Sequence, residues 1–470
     1  MSTRLKNIDR DTPMLMPVDM RDWIPEQHMV NFIIDAISTL CLRGFRVNER
    51  GSGSEQYPPS MMAALLIYCY ATGRMSSREI EAATYSDVAV RYICGGSHHP
   101  DHDTICTFRR ENRALFSECF VKVLALAREL GQLKRIGGIA VDGTKVKANA
   151  SKHAAVSYKR AGQMIEQLEL EVEELMKKAE DADSTPLQDG LSLPEEITRR
   201  TDRKAKLEAA RQAIEARFEA RREEKMAEYH AKLQEREHRR QKGESIRGPK
   251  LKTPPDTPED KSQVNFTDPD SRIMKGGSRS HHEQAYNAQA AVDIEGSYLI
   301  LGQRVSDNPN DKQELVADVS CVPETIRQVD AVLADSGYFS EKAVEEVEAN
   351  DGPTAYVATQ KTTHHVSISD LEKKPDPPSP DKEASTIDIM RHRLETESGR
   401  KTYALRKQTV EPVFGIIKQV IGFRQFHLRG HPKVETEWTL VTLAYNMKRL
   451  YNMVGNCTMP EKRSILTSCG

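Results

Sequence analysis

Ile139-Ala-Val-Asp-Gly-Thr-Lys-Val-Lys147 is a hydrophobic run that delivers a single carboxylate, Asp142, and then turns basic. Ile139 and Val141 favour extended backbone, and Gly137 and Gly138 punctuate the entry. Gly143 lets the chain turn, or be approached closely, directly after the acid. The stretch predicts a buried strand that ends at a functional carboxylate. An Asp after a strand is more often a turn residue or helix cap than a catalytic group, so the reading needs further acids in a matching setting.

A second acid has that setting. Val329–Ala334 reads as another buried strand; Asp335 follows at once, and Ser336-Gly337 turns the chain toward a helix from Ser340 through Val347. Two acids at the carboxyl ends of strands in one sheet converge at one edge. Their separation, 193 positions, is too long for neighbouring strands. Two segments of different composition account for most of it. From Tyr158 to His238 the chain is rich in Glu, Lys, Arg, Ala, Gln and Leu, with Ile165, Leu168, Val172 and Leu175 at helical spacing, then Leu207, Ile214, Phe218, Tyr229 and Leu233 beyond a break at Pro186 to Pro194. That pattern predicts an antiparallel helical hairpin or coiled-coil arm. Gly243 to Asp270 carries Pro249, Pro254, Pro255, Pro258 and Pro269 and reads as a linker. Without these segments the order is strand, hairpin (Tyr286–Asp293 and Tyr298–Val305), helix (Lys312–Val319) and strand, an α/β unit with an insertion. Thr354–Thr359 is a further strand, and the Pro-rich Lys361–Ala384 reads as a disordered loop.

A site for two divalent cations needs a third carboxylate. Glu411 is the best candidate, in the basic helical stretch Arg406–Lys418 and 76 positions after Asp335. Glu395, Glu397, Glu435 and Glu437 are rivals that read as surface residues of charged segments.

Residues 1 to about 135 predict short helices: Gln27–Leu42, Ser60–Ala71, Arg78–Ala83 behind a Ser76-Ser77 cap, and one opening at Asp103-Thr104 and running through Phe108, Phe116 and Leu124. Arg109, Arg110 and Arg113 are candidates to face DNA phosphates there, with helical packing and exposed arginines as the equally good alternative. The chain of 470 residues has a net charge of −2, which is no basic footprint overall. Local charge differs: Thr144 to Arg160 holds five Lys/Arg and no acid, and Arg391 to Lys433 holds ten Lys/Arg against three Glu. Eight scattered cysteines without a Cys-x-x-Cys pair argue against a disulfide framework. Cys94, His98, His102 and Cys106 recur every four residues, but the spacing fits no common zinc module and Pro100 interrupts the helix that would align them. With no apolar run long enough to span a bilayer and no secretory pattern, a soluble intracellular protein, cytoplasmic and nucleoid-associated, is expected.

The order Val-Asp-Gly-Thr-Lys-Val-Lys-Ala-Asn-Ala-Ser (141–151), Leu-Ala-Asp-Ser-Gly-Tyr-Phe-Ser (333–340), Val-Glu-Pro-Val-Phe-Gly-Ile-Ile-Lys (410–418) and Gly-Phe-Arg-Gln-Phe-His-Leu-Arg-Gly (422–430) resembles the bacterial insertion-sequence DDE transposases. Pro-Asp-His-Asp-Thr-Ile-Cys-Thr-Phe-Arg-Arg (100–110) extends the likeness to the N-terminal part. The resemblance implies an α/β ribonuclease H-like catalytic domain (136–157 and 280–455) with a mixed sheet and flanking helices. To it would be joined an all-α N-terminal DNA-binding domain (1–135), a helical-hairpin insertion (158–242), a linker (243–279), a loop (361–384) and a tail (456–470). It implies that Asp142, Asp335 and Glu411 are catalytic and bind Mg²⁺ (or Mn²⁺), so that the enzyme cuts DNA at the terminal inverted repeats of an element and joins the 3′-hydroxyl to target DNA, acting as a homodimer with no membrane role.

The family's tyrosine, arginine, glutamate and lysine signature is present as Tyr403, Arg406, Glu411 and Lys418, with the Arg-to-Glu gap one residue longer than usual. On a regular helix Lys407 lies nearer the face of Glu411 than Arg406, so Lys407 and Lys418 are expected to contact phosphate, with Lys145, Lys147, Arg424 and Arg429 as further DNA contacts. Pro412 predicts that the helix starts or kinks at Glu411. Two rivals stand beside this reading. Asp-Gly-Thr after a strand also occurs in haloacid dehalogenase-like phosphatases, which need a nucleophilic Asp where this chain has Ala140. A transposase-derived DNA-binding protein that no longer cuts is the other.

Overall fold

The computed structural model describes residues 19–40, 56–133, 137–180, 193–242, 251–276, 281–326, 329–360, 375–381 and 384–455. The helices expected at the N-terminal end form as α1 (Met29–Thr39), α2 (Pro59–Ala71), α3 (Ser77–Ser86), α4 (Val88–Ile93), α5 (His102–Glu111) and α6 (Arg113–Glu129). Ser76 caps α3 through a capping box with Glu79, as its sequence predicts. The single helix expected through Phe108 and Leu124 is broken at Asn112, whose backbone leaves the helical region and whose side chain donates to the Phe108 carbonyl.

The rest of the chain is built on a six-stranded mixed sheet. Its strands are β1 (Ile139–Lys147), β4 (Arg272–Gly276), β5 (His281–Asp293), β6 (Ile300–Ser306), β7 (Ala331–Ala334) and β8 (Thr354–Val357). Hydrogen bonding runs in the order β4, β5, β1, β7, β8, with β6 also against β5. The first strands pair antiparallel and β1, β7 and β8 pair parallel. Long β5 meets β1 on one side, while its other side is shared by β4 at its start and β6 along the rest. Helices α9 (Leu315–Ser320) and α10 (Glu341–Glu348), and α11 (Thr386–Glu395), α12 (Glu397–Gly415) and α13 (His431–Met453), flank the sheet.

Two expectations change here. β1 does not end at Asp142: it continues through Gly143 to Lys147, because every residue of 139–147 pairs with β5. Residues 243–279 are not all linker, since β4 adds to the sheet and β3 (Gln263–Asn265) pairs with β2 (Ala155–Ser157). The expected loop 361–384 falls largely outside the described residues, as does the tail 456–470.

Between β2 and β3 in the chain stand α7 (Tyr158–Glu180) and α8 (Leu193–Gln241), packed antiparallel. They share a small core of Ile165, Leu168, Leu207 and Ile214, closed at its foot by Val156 and Val264 from β2 and β3. At about 1.5 Å per residue, the 49 residues of α8 reach roughly twice as far as the 23 of α7, so its second half runs past the foot of the hairpin.

The N-terminal helices and the sheet share one hydrophobic core, in which α2 and α6 pack on α13. A buried polar chain crosses that junction. Arg109, expected to face DNA, is 3% exposed; it donates to the Tyr70 hydroxyl at 2.7 Å and to the Met75 carbonyl at 3.0 Å. Tyr70 in turn donates to Glu437, whose other oxygen accepts the backbone N–H groups of His427 and Leu428. Burial alone would raise the Glu437 pKa, but His427, Arg109 and these N–H groups hold it below its ordinary value. Arg109 thus joins two parts of the fold instead of contacting a partner, and Glu437 holds the loop 422–430 in place. Replacing Arg109 by Met should cost about 3 kcal/mol in urea unfolding, since it leaves the buried Glu437 charge without its cation. A loss under about 1 kcal/mol would show that the chain carries no structural load.

Candidate active site

The parallel register of β1 and β7 decides the centre of the site. Ile139 pairs with Val332 and Ala140 with Leu333. Counting two residues on along each strand gives Asp142 and Asp335, so the register directs the two acids to the same edge of the sheet, near enough for the Asp335 charge to act on Asp142. Asp335 lies just past the end of β7 and accepts the Gly337 N–H at 2.8 Å, which fixes the turn into α10. Asp142 accepts the N–H of Gly143, also at 2.8 Å. Burial and then the Asp335 charge push the Asp142 pKa up to about 7, against a partial opposing pull from Arg406.

Glu411 comes from α12, which packs across β1, β5, β7 and β8. Arg406 supplies the link: one terminal nitrogen is 3.6 Å from Asp142 and the other 3.9 Å from Glu411. Both acids thus lie within reach of a single guanidinium. Arg406 is buried while Lys407 is exposed, which reverses the expectation that Lys407 lies nearer Glu411. The physical reason is tertiary: the face of α12 that carries Arg406, Thr409, Val410 and Val413 packs on the sheet, which holds the long Arg406 side chain between Asp142 and Glu411 while Lys407 turns to solvent. Because α12 runs through Pro412, Glu411 sits within a helix and not at its start. Tyr403, one turn before Arg406, is near the same charges: burial raises its pKa, Arg406 opposes, and Asp335 adds to the rise.

The basic candidates separate by what they touch. Lys418 donates to the Thr144 hydroxyl and to the Lys145 carbonyl, so it is locked against β1, on the strand face that Thr144 shares with Asp142. Lys145 points to the opposite face, where its ammonium is 3.7 Å from Asp311. Lys147 is half exposed and pairs with Glu283. Arg424 donates to the Lys418 carbonyl and Arg429 to the Asn149 carbonyl, and both remain exposed. Arg110 is exposed on α5, distinct from the buried Arg109. Of the rival acids, Glu435 pairs with Arg113 and Glu437 is fully buried.

Gly143 has a use that composition alone does not separate from a turn. A Cβ there would lie 2.5 Å from the Gln289 amide nitrogen and 2.7 Å from the Asn287 amide oxygen, so glycine makes room for two polar side chains of β5. Those side chains donate to Asp311, and Tyr338 donates to Gln289, which ties the turn after Asp335 to the back of β1. Sequence reasoning missed this support; its signal was the polar alternation Asn287, Gln289 within an otherwise apolar strand.

Carboxylate oxygens are hard donors of the kind that magnesium or manganese takes. As the side chains stand, however, no three acidic, histidine or cysteine side chains among the described residues are grouped to hold a metal ion. Arg406, between Asp142 and Glu411, accounts for that spacing.

Residues 380–451 match the family model of a transposase DDE domain, and residues 18–111 match that of a transposase domain (DUF772). Together the two matches support an insertion-sequence DDE transposase. The first match contains Tyr403, Arg406, Glu411 and Lys418; Asp142 and Asp335 lie outside both matched segments of the transposase. No curated protein and no solved structure matches the chain. No helix among the transposase's described residues is long and apolar enough to cross a membrane.

The raised Asp142 pKa predicts a pH dependence for the metal-free transposase. Between about pH 4 and pH 7 the folded state holds a proton that the unfolded state has released. This group's contribution is therefore greatest at acid pH and is lost as pH rises through about 7. In chelator at pH 8, Asp142→Asn should be more stable than wild type by about 2 kcal/mol, with the difference shrinking toward pH 5. Equal stability at pH 8 would show that the two carboxylates do not oppose each other.

Proposed function

We propose that this transposase cleaves DNA at the ends of its element and joins the freed 3′-hydroxyl to target DNA, with Asp142, Asp335 and Glu411 as its catalytic acids. The observation that carries the reading is the convergence of acids 193 and 76 positions apart in sequence: Asp335 acts on Asp142 through its charge, and Arg406 contacts both Asp142 and Glu411. The strand order supports a ribonuclease H-like catalytic domain: β6, β5 and β1 run antiparallel, β7 and β8 follow parallel to β1, and β4 adds a further antiparallel strand beside β5.

The donor set fits Mg²⁺ or Mn²⁺. Asp142 and Asp335 would hold the cation, with Glu411, 58% exposed, as the further oxygen donor. When bound, such an ion lowers the pKa of a water or 3′-hydroxyl and steadies the leaving oxygen. The protein's own residues do the rest. The turn at Gly337 fixes the Asp335 carboxylate, and the paired charges of the aspartates create a demand for positive charge at that point. Arg406 answers that demand in part and keeps Glu411 near. Lys418, aligned by Thr144, and the exposed Lys147, Arg424 and Arg429 supply positive charge for the phosphates flanking the scissile bond. Lys145, turned to Asp311, takes a supporting place on the other face. Double-stranded DNA is the substrate, and a homodimer would bridge two ends.

The test is incubation of the full-length protein with Mg²⁺ and DNA carrying the inverted repeats that flank its gene. Wild type should nick at the repeat ends, and Asp335→Ala should lose at least about a thousandfold in rate while binding the same DNA. Binding without nicking by wild type would favour a DNA-binding protein that no longer cuts, and an active Asp335→Ala would remove the mechanism.

A further inference from the structure

Where the second half of α8 passes the foot of the hairpin, it meets β4 and the segment before it around a cavity of about 320 Å³. Arg217, Arg221, Arg222 and Lys225 line it from α8 and Arg272 from β4; Glu259 is the one acid in the lining. Three of these arginines have carboxylate partners outside the lining. Arg221 and Arg272 share Asp307, at 3.9 and 2.6 Å, and Arg222 pairs with Asp256. Among the described residues Arg217 has none: its guanidinium donates to the carbonyls of Ala213 and Gln263. Burial, then Arg272 and Arg221, lower its pKa to about 10, a sign that cations outweigh acids at that spot. The Arg222 Nε is buried with no hydrogen-bond partner.

The position of the cavity gives this charge a direction. β4 ends the sheet, and Arg272, Met274 and Gly276 share one face of it by strand alternation. Arg272 opens onto the arginine cavity. Met274 and Gly276 line a second cavity, of about 200 Å³, together with Lys147, Lys418 and Arg424 beside β1, with Glu283, the partner of Lys147, as its one acid. The five residues of β4 span about 13 Å from one basic cavity to the other, or roughly four base-pair steps of duplex.

We propose that the cavity at the foot of the helical insertion binds backbone phosphates of DNA that runs along β4 from the catalytic acids. The insertion is then a second DNA-contacting element of the enzyme and not a spacer. This rests on the DNA-cleaving reading above. Arginine suits the task because its planar fork grips phosphate oxygens in pairs.

The experiment is fluorescence anisotropy of the full-length protein with a duplex of about 40 base pairs over a range of salt concentrations. Arg217→Gln with Lys225→Gln should weaken binding about tenfold and lower the slope of log affinity against log salt by about 1 to 2, since each lost phosphate contact removes about 0.9. The thermal midpoint should not change. Arg217→Lys, which keeps the charge, should keep the wild-type slope. A double variant with the wild-type slope overturns the proposal, and so does an equal loss in Arg217→Lys, which would mark Arg217 as structural. Inorganic phosphate raising the midpoint of wild type but not of the double variant, with DNA slopes equal, assigns the cavity to free phosphate and overturns the DNA assignment. If wild type nicks no DNA yet the double variant lowers the slope, the site stands and the cleavage reading falls.

Discussion

Two carboxylates brought together by adjacent parallel strands, one within β1 and one just past the end of β7, are the constraint around which the rest of this transposase is arranged. The register of β1 against β7 gives Asp142 and Asp335 the same height in the sheet, and their mutual repulsion in a largely buried position is a standing cost. Each neighbour answers that cost in part. Backbone N–H groups of Gly143 and Gly337 point at the two acids, and Arg406 brings a buried cation from α12. The polar side chains behind β1 fix the strand and the turn after Asp335 from the other face. A site built this way leaves the two acids short of positive charge, which is the demand a divalent cation would meet under the proposed function.

The same economy of buried charge shapes the wider fold. Arg109, Tyr70 and Glu437 carry a polar connection through the core shared by the N-terminal helices and α13, and it ends on the backbone of the loop 422–430. That loop also hydrogen-bonds to the end of β1, through Lys147 and Phe426. The N-terminal helices are therefore joined to the rim of the candidate site by packing and by hydrogen bonds. The hairpin has its own small core and touches the sheet through its foot, where the arginines gather.

Much of this was legible in the sequence, for identifiable reasons. Strands β1, β5, β6 and β7 announce themselves by apolar runs bounded by Gly and acidic residues, and the hairpin helices by their spacing and charge. The two aspartates could be matched because each follows such a run. What the sequence concealed depends on contacts between distant segments. A short strand such as β4, set among Pro, Gly and charged residues, carries no periodic signal and is created by the long β5 beside it. Arg109 and Arg406 look like other surface arginines of basic helices; only the partners at Tyr70 and Asp142 reveal that they are buried. The geometry around Glu411 eluded helical counting because the packing of α12 on the sheet buries Arg406 and holds its long side chain between Asp142 and Glu411. Gly143 was readable as a point of close approach, but not that Asn287 and Gln289 make the approach.

The central claim is that the repulsion between Asp142 and Asp335 is relieved by a shared divalent cation. Anomalous diffraction from crystals of the full-length protein soaked in Mn²⁺ tests it most directly. The account predicts a manganese peak within bonding distance of both aspartate carboxylates. Full-occupancy manganese elsewhere on the protein, with none between these two side chains, would contradict it.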